Sequence, residues 1–272
     1  MSSHPFSRII AAAFAIAVAL PLLAGCAGDD AKETYRERPV EELYNDAMDL
    51  LKDESYEKAA KAFDEVERQH PYSVWATKAQ LMAAYAHYEH NKFDDAINAL
   101  DRFIQLHPGH KDAAYAYYLK ALCYYEQVAD INRDQKMTLN AMKALQEVVD
   151  RFPTSKYARD AKMKAELARD HLAGREMSVG RWYERQGQYL AAINRYRAVI
   201  DNYQTTTHVP EALHRLAECY ETLGLQDEAK QVAAVLGYNY PGDQWYSDSF
   251  KLVQGMAPET KQDDSGWFSW LW

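Results

Sequence analysis

The sequence predicts an all-α protein, a solenoid of about five helix pairs. One spacing pattern recurs five times. An aromatic or similar residue is followed three later by Ala, four later by a large apolar residue, three later by another apolar residue, and five later by Pro. The five copies are Tyr56, Ala59, Phe63, Val66, Pro71; Phe93, Ala96, Leu100, Phe103, Pro108; Thr138, Ala141, Leu145, Val148, Pro153; Tyr189, Ala192, Tyr196, Val199, Gln204; and Gln226, Ala229, Ala233, Leu236, Pro241. Ala, then +4, then +7 is one face of a helix, and Pro ends it because the residue before it is pushed out of the α region. Gly at 11 and Pro at 9 in 272 residues are too few for a β-sandwich or a disordered chain.

Residues 1–25 read as an export signal. Arg8 supplies a positive charge, Ile9 to Leu23 is apolar apart from Pro21, and small residues lead to Cys26. The apolar run of roughly 15 residues falls short of the about 20 that span a membrane. Leu23-Ala24-Gly25-Cys26 resembles the lipobox of bacterial lipoproteins. The resemblance implies cleavage before Cys26 and a covalent lipid on it, with no other cofactor. Two or more acyl chains anchor a protein stably. Ala27, in place of the aspartate that favours inner-membrane retention in that family, implies the periplasmic face of the outer membrane. Residues 26–38 are a polar tether with little to bury, expected to be flexible.

The solenoid is expected over 39–244. Pro39 with Glu41 and Glu42 suits a helix start. First helices of the pairs are predicted at Glu41–Leu51, Val74–His90, Ala113–Gln127, Ala158–Gln186 (broken near Gly174) and Pro210–Leu223. The patterned segments supply the second helices. Lys52–Ser55, His90–Lys92 and Gly187 are the turns. The central alanines, 59, 96, 141, 192 and 229, are spaced by 37, 45, 51 and 37. The long spacings place one insertion at Ala129–Lys136 and another in the helix around Ala161–Tyr183. Residues 245–272 form a tail ending Trp267-Phe268-Ser269-Trp270-Leu271-Trp272. Tryptophans favour the membrane interface, so this tail is read as a second membrane contact, a partner-binding peptide or an end without function.

A helix pair of about 34 residues with these positions resembles the tetratricopeptide repeat. Repeats one, two and five match well; three and four are degenerate. Such solenoids line a binding surface with the first helix of each pair and take extended peptides or partner domains. On that pattern Tyr44, Met48, Leu81, Tyr85, Tyr88, Tyr118 and Tyr125 face a groove. Tyrosines there offer large contact area with a hydroxyl for backbone groups.

Composition narrows the function. Removing the signal's single cation, Arg8, takes the formal charge from −9 to −10, against a nucleic-acid binder, which needs a basic face. There is no Gly-rich phosphate loop, zinc-protease helix motif or G-x-S-x-G elbow. His87 and His90 are weak evidence for a metal site, and none is expected. His107 and His110 bracket a helix stop. Cys123 and Cys219, in different repeats, read as buried small apolar residues. No enzymatic activity is expected.

Longer stretches carry a narrower resemblance: 96–110 (Ala-Ile-Asn-Ala-Leu-Asp-Arg-Phe-Ile-Gln-Leu-His-Pro-Gly-His), 117–122, 151–157 (Arg-Phe-Pro-Thr-Ser-Lys-Tyr) and 182–195 (Trp-Tyr-Glu-Arg-Gln-Gly-Gln-Tyr-Leu-Ala-Ala-Ile-Asn-Arg). With the lipobox and five repeats, they resemble the BamD family of β-barrel assembly (BAM) lipoproteins. The resemblance implies that the N-terminal repeats receive the C-terminal targeting segment of unfolded outer-membrane proteins, through Tyr44, Leu81, Tyr85, Tyr88, Tyr118 and Tyr125. It implies that the C-terminal repeats dock a BamA-like barrel subunit through a POTRA domain, with Asn194 and Arg195 at the contact, alongside other Bam lipoproteins. Gln204, where the family has Pro, and a longer tail depart from the pattern. Two other readings stay open. A tetratricopeptide lipoprotein of another envelope system, such as a pilus or secretion pilotin or a cell-division coordinator, would share the lipobox and repeats but not the Asp-Arg-Phe-Ile and Asn-Arg stretches. An envelope enzyme with a helical-repeat body is the other.

Overall fold

A computed structural model describes residues 37–255. The signal segment, Cys26, most of the tether and the Trp-rich end lie outside the described residues. Among the described residues there are eleven helices: α1 (Val40–Lys52), α2 (Tyr56–Gln69), α3 (Val74–Glu89), α4 (Phe93–Leu106), α5 (Ala113–Tyr125), α6 (Lys136–Arg151), α7 (Ala158–Arg185), α8 (Tyr189–Asn202), α9 (Val209–Thr222), α10 (Gln226–Asn239) and α11 (Gln244–Val253). Each helix packs on the next in chain order, as in an all-α solenoid of five pairs. The pairs are α1/α2, α3/α4, α5/α6, α7/α8 and α9/α10, with α11 against α9 and α10.

The repeated spacing builds the core. Ala59, Phe63, Val66, Ala96, Leu100, Phe103, Ala141, Leu145, Val148, Ala192, Tyr196, Val199, Ala229 and Leu236 have no exposed surface. They gather with the inner sides of the first helices into four hydrophobic clusters along the chain. The small Ala in each second helix lets its partner approach, and the residue four later fills the space beside it.

Two turn types punctuate the array. Between paired helices, Glu54, Asn91, Gly187 and Gly224 all have positive φ, between 57° and 77°. Each lies two residues before its second helix. Ser55 N–H donates to Leu50 O and Glu54 N–H to Leu51 O, and the other three turns repeat this doublet, a Schellman closure. Between repeats, His70, His107, Phe152, Tyr203 and Tyr240 cap the second helices with φ from −135° to −130°. Tyr203 takes this geometry although Gln204, not Pro, follows it. Proline at this point reinforces a turn that the packing already dictates.

Three expectations change. The helix through Gly174 is unbroken over 28 residues. Gly174 is buried, and a Cβ there would sit 3.2 Å from the His208 ring, so this glycine allows a close approach rather than a break. The packed helical unit continues past residue 244 into α11, seated where Gly237 meets the Tyr246 ring. Leu81, expected in the groove, is 7% exposed and lies in the core with Leu100, Phe103 and Leu119. Side chains of α4 and of the next first helix, α5, close over it, which leaves fewer outward positions than the repeat pattern alone implies. The insertion between the paired helices of repeat three falls where expected, before α6 begins at Lys136.

Candidate functional site: a tyrosine-lined face on the first helices

The remaining groove candidates are all half-buried, each fixed by a neighbour on another turn or helix. Tyr44 of α1 sits edge-on to Phe63 at 5.5 Å and 4.9 Å from the Trp75 ring. Tyr88 of α3 lies 6.0 Å from Phe93. Tyr118 of α5 stacks on Tyr157 at 5.0 Å, and its hydroxyl donates to Asp160 at the start of α7. Lys164 closes on the same carboxylate at 2.9 Å and stands 5.7 Å over the Tyr125 ring. Tyr115, 5.6 Å from Tyr157, joins the group from the same helix. The structure therefore brings Tyr85, Tyr88, Tyr118 and Tyr125 together across α3, α5 and the start of α7, with Tyr44 one repeat away.

Tyr115 and Tyr157 were not expected in this group. Tyr157 closes the Arg-Phe-Pro-Thr-Ser-Lys-Tyr stretch, where it reads as a turn residue just before a helix. Tyr115 is hidden among the neighbouring tyrosines of α5, whose hydrophobicity runs round the helix and points to no single face.

Every shifted hydroxyl in this group moves the same way. The Tyr85 hydroxyl is pushed up to about 12, first by its hydrogen bond to Glu89 and then by burial. Tyr88 is pushed up to about 12 by burial and by Glu126. Burial raises Tyr115 and Tyr118 above the ordinary value of 10, assisted at Tyr118 by Asp160. At neutral pH these four hydroxyls are thus protonated, able to take part in hydrogen bonds but without charge.

The apolar stripe continues into repeat four. Met163 and Leu167 of α7 lie 45 residues after Tyr118 and Leu122, as buried Ala158 and Ala161 lie 45 after Ala113 and Ala116. They are 59% and 56% exposed and line a groove of about 540 Å³. Its far wall is the α8–α9 loop, held by Thr207 Oγ1 donating to Asp170 at 3.1 Å and Thr205 Oγ1 to Glu166 at 3.2 Å. The spacing of Met163 and Leu167 outside the alanine stripe was the available sequence signal.

The second candidate region lies on α8. Asn194 and Arg195 are exposed, and Arg195 Nη1 lies 3.1 Å from Glu176 Oε2 of α7. A network of charged and polar contacts links α7, α8 and α9. Arg181 meets Glu211 at 2.7 Å, Arg215 meets Glu218 at 2.7 Å, and the Tyr196 hydroxyl donates to Glu184. His214 Nδ1 lies 2.8 Å from Ser249 Oγ, tying α9 to α11. Burial alone raises the Glu218 carboxyl, but His214 and Arg215 together hold it below its ordinary value. Cys123 and Cys219 are free, buried, and pushed by burial to about 12, which leaves both thiols protonated at neutral pH.

Comparison with known proteins adds relatives to this geometry. The outer membrane lipoprotein family YfiO matches residues 36–236. The chain is 52% identical to the outer membrane protein assembly factor BamD of Caulobacter vibrioides, over 90% of this chain and 81% of that protein. It is 47% identical to BamD of Rickettsia prowazekii, over 79% of this chain and 86% of the relative. With BamD of Neisseria meningitidis serogroup A the identity is 38%, over 74% and 79% of the two chains. Among solved structures, the TPR2AB domain of yeast Sti1 overlays with a TM-score of 0.41 at 13% identity, covering 79% of this chain and 83% of that one.

Proposed function

This chain belongs to the YfiO family of outer membrane lipoproteins, the family of the assembly factor BamD, and on that premise we propose that it is a non-enzymatic scaffold for assembling β-barrel proteins in the outer membrane. Cys26 carries the lipid, and the tether holds the repeats at the periplasmic face. Tyr44, Tyr85, Tyr88, Tyr118 and Tyr125 receive the extended C-terminal segment of unfolded outer-membrane proteins. Asn194 and Arg195 dock a BamA-like barrel subunit.

The observation that carries the reading is the connected tyrosine face on α3, α5 and α7. An extended strand brings unpaired backbone N–H and C=O groups along its length. Neutral hydroxyls meet these groups, while the rings cover apolar side chains at low entropic cost. The Tyr118–Tyr157 stack and the Asp160–Lys164 pair hold part of the face in place before a ligand arrives. At the other end, Glu176 orients Arg195 toward a partner, where a charge fixes register and specificity more than raw affinity.

A photoreactive residue replacing Tyr85 tests the groove. Labelling by a peptide ending in an aromatic β-strand sequence should exceed that by its scrambled counterpart at least fivefold. Equal labelling by the two sinks the assignment of the groove.

A further inference from the structure

We propose that the apolar groove on α7 is the docking site of this chain's own C-terminal segment, residues 256–272. Met163 and Leu167 are the two large apolar side chains of the groove, both more than half exposed. Arg159, Lys162, Glu166 and Asp170 also line it, and Thr205 and Thr207 form the far wall. About 540 Å³ is within the range of sites that seat sizeable apolar ligands.

Three observations select the occupant. The first is position. Leu252, near the end of α11, lines a common pocket with Arg181 and Arg185 of α7. Eighteen residues are five full helical turns, so Met163 and Arg181, and likewise Leu167 and Arg185, lie on one side of α7, about 27 Å apart along the axis. The described chain ends just past α11 at Gly255, whose φ of +68° closes that helix, three residues after Leu252. The second is reach. The twelve residues 256–267 extend to about 40 Å, enough to bring Trp267, Phe268 and Trp270 to Met163 and Leu167. The third is chemistry. The segment ends in an aromatic cluster, Trp267, Phe268 and Trp270, matching the exposed apolar side chains of Met163 and Leu167. Covering Met163 and Leu167 removes apolar surface from water on both sides. The contact stands whether or not the tyrosine face receives substrate.

Photocrosslinking in the full lipidated chain, kept in envelope membranes, tests this. A photoreactive residue replaces Leu167 in one chain and Met163 in another, both exposed positions that the core does not need. The main crosslinked product is expected to contain residues 256–272 of the same chain. It should fall at least fivefold when Trp267 and Trp270 are both changed to Ser. Mixing isotopically light and heavy chains separates contacts within one chain from contacts between copies. Products joining light to heavy chains, products with lipid or another protein but no tail peptide, no product from either position, or insensitivity to the Trp→Ser changes would each overturn the proposal.

Discussion

Tyr196 is the largest of the fully buried side chains. It occupies the slot that Phe63, Leu100 and Leu145 fill in the first three repeats, and its spacing made it legible as a core residue. Its partners were not legible, because they lie in the preceding helix: the ring rests on Gly180, and the hydroxyl donates to Glu184. A Cβ at residue 180 would come within 2.6 Å of the ring. Gly180→Ala should therefore destabilise the protein by about 1–3 kcal/mol, despite Ala's better helix propensity, and thermal melting should register a fall in Tm. Glu218 gives a pH dependence. His214 and Arg215 hold its carboxyl below the ordinary 4.5 in the folded chain. Its contribution is thus complete above that value and is lost as pH falls through the lower folded value. Glu218→Gln should flatten the pH dependence of urea stability on the acid side, and an unchanged acid limb would contradict the network.

Among the elements, the turns at Lys52–Ser55, His90–Lys92 and Gly187 are visible in the sequence, but the left-handed residue that the four turns share is not. Glu54 and Asn91 hold the position that Gly187 and Gly224 fill elsewhere. Glutamate gives no sequence hint of a positive φ, since only Gly adopts it without steric cost. Glu54→Gly should raise stability by up to about 1 kcal/mol, whereas Gly187→Ala should lower it by about the same amount; chemical denaturation measures both. Similarly, Tyr203 caps α8 as His107 caps α4, so Gln204→Pro should gain about 0.4–1 kcal/mol. The helix α11 escaped the sequence reading because it follows no repeat spacing. Its Trp245 and Tyr246 pack on a cluster assembled by α7, α8, α9 and α10, which no local pattern records. Leu81 departs in the other direction: the repeat pattern turns it outward, and side chains of α4 and α5 enclose it.

At the scale of the molecule, chain-order packing of helix pairs explains why so much could be read locally. Each pair meets chiefly its neighbours, so its core residues are set by its own spacing. What a local pattern leaves undetermined is how side chains from different repeats combine. The tyrosine face draws on three helices, and the α7 groove draws on a helix and a loop some forty residues away. The most direct test of the scaffold reading is quantitative co-purification from detergent-solubilised envelopes, comparing the natural chain with Arg195→Glu. The natural chain should recover a β-barrel assembly subunit bearing POTRA domains, and Arg195→Glu should recover at least tenfold less of it with its helical content and Tm unchanged. Recovery of pilus or secretion components in place of that subunit, or equal recovery by both chains, would contradict that reading.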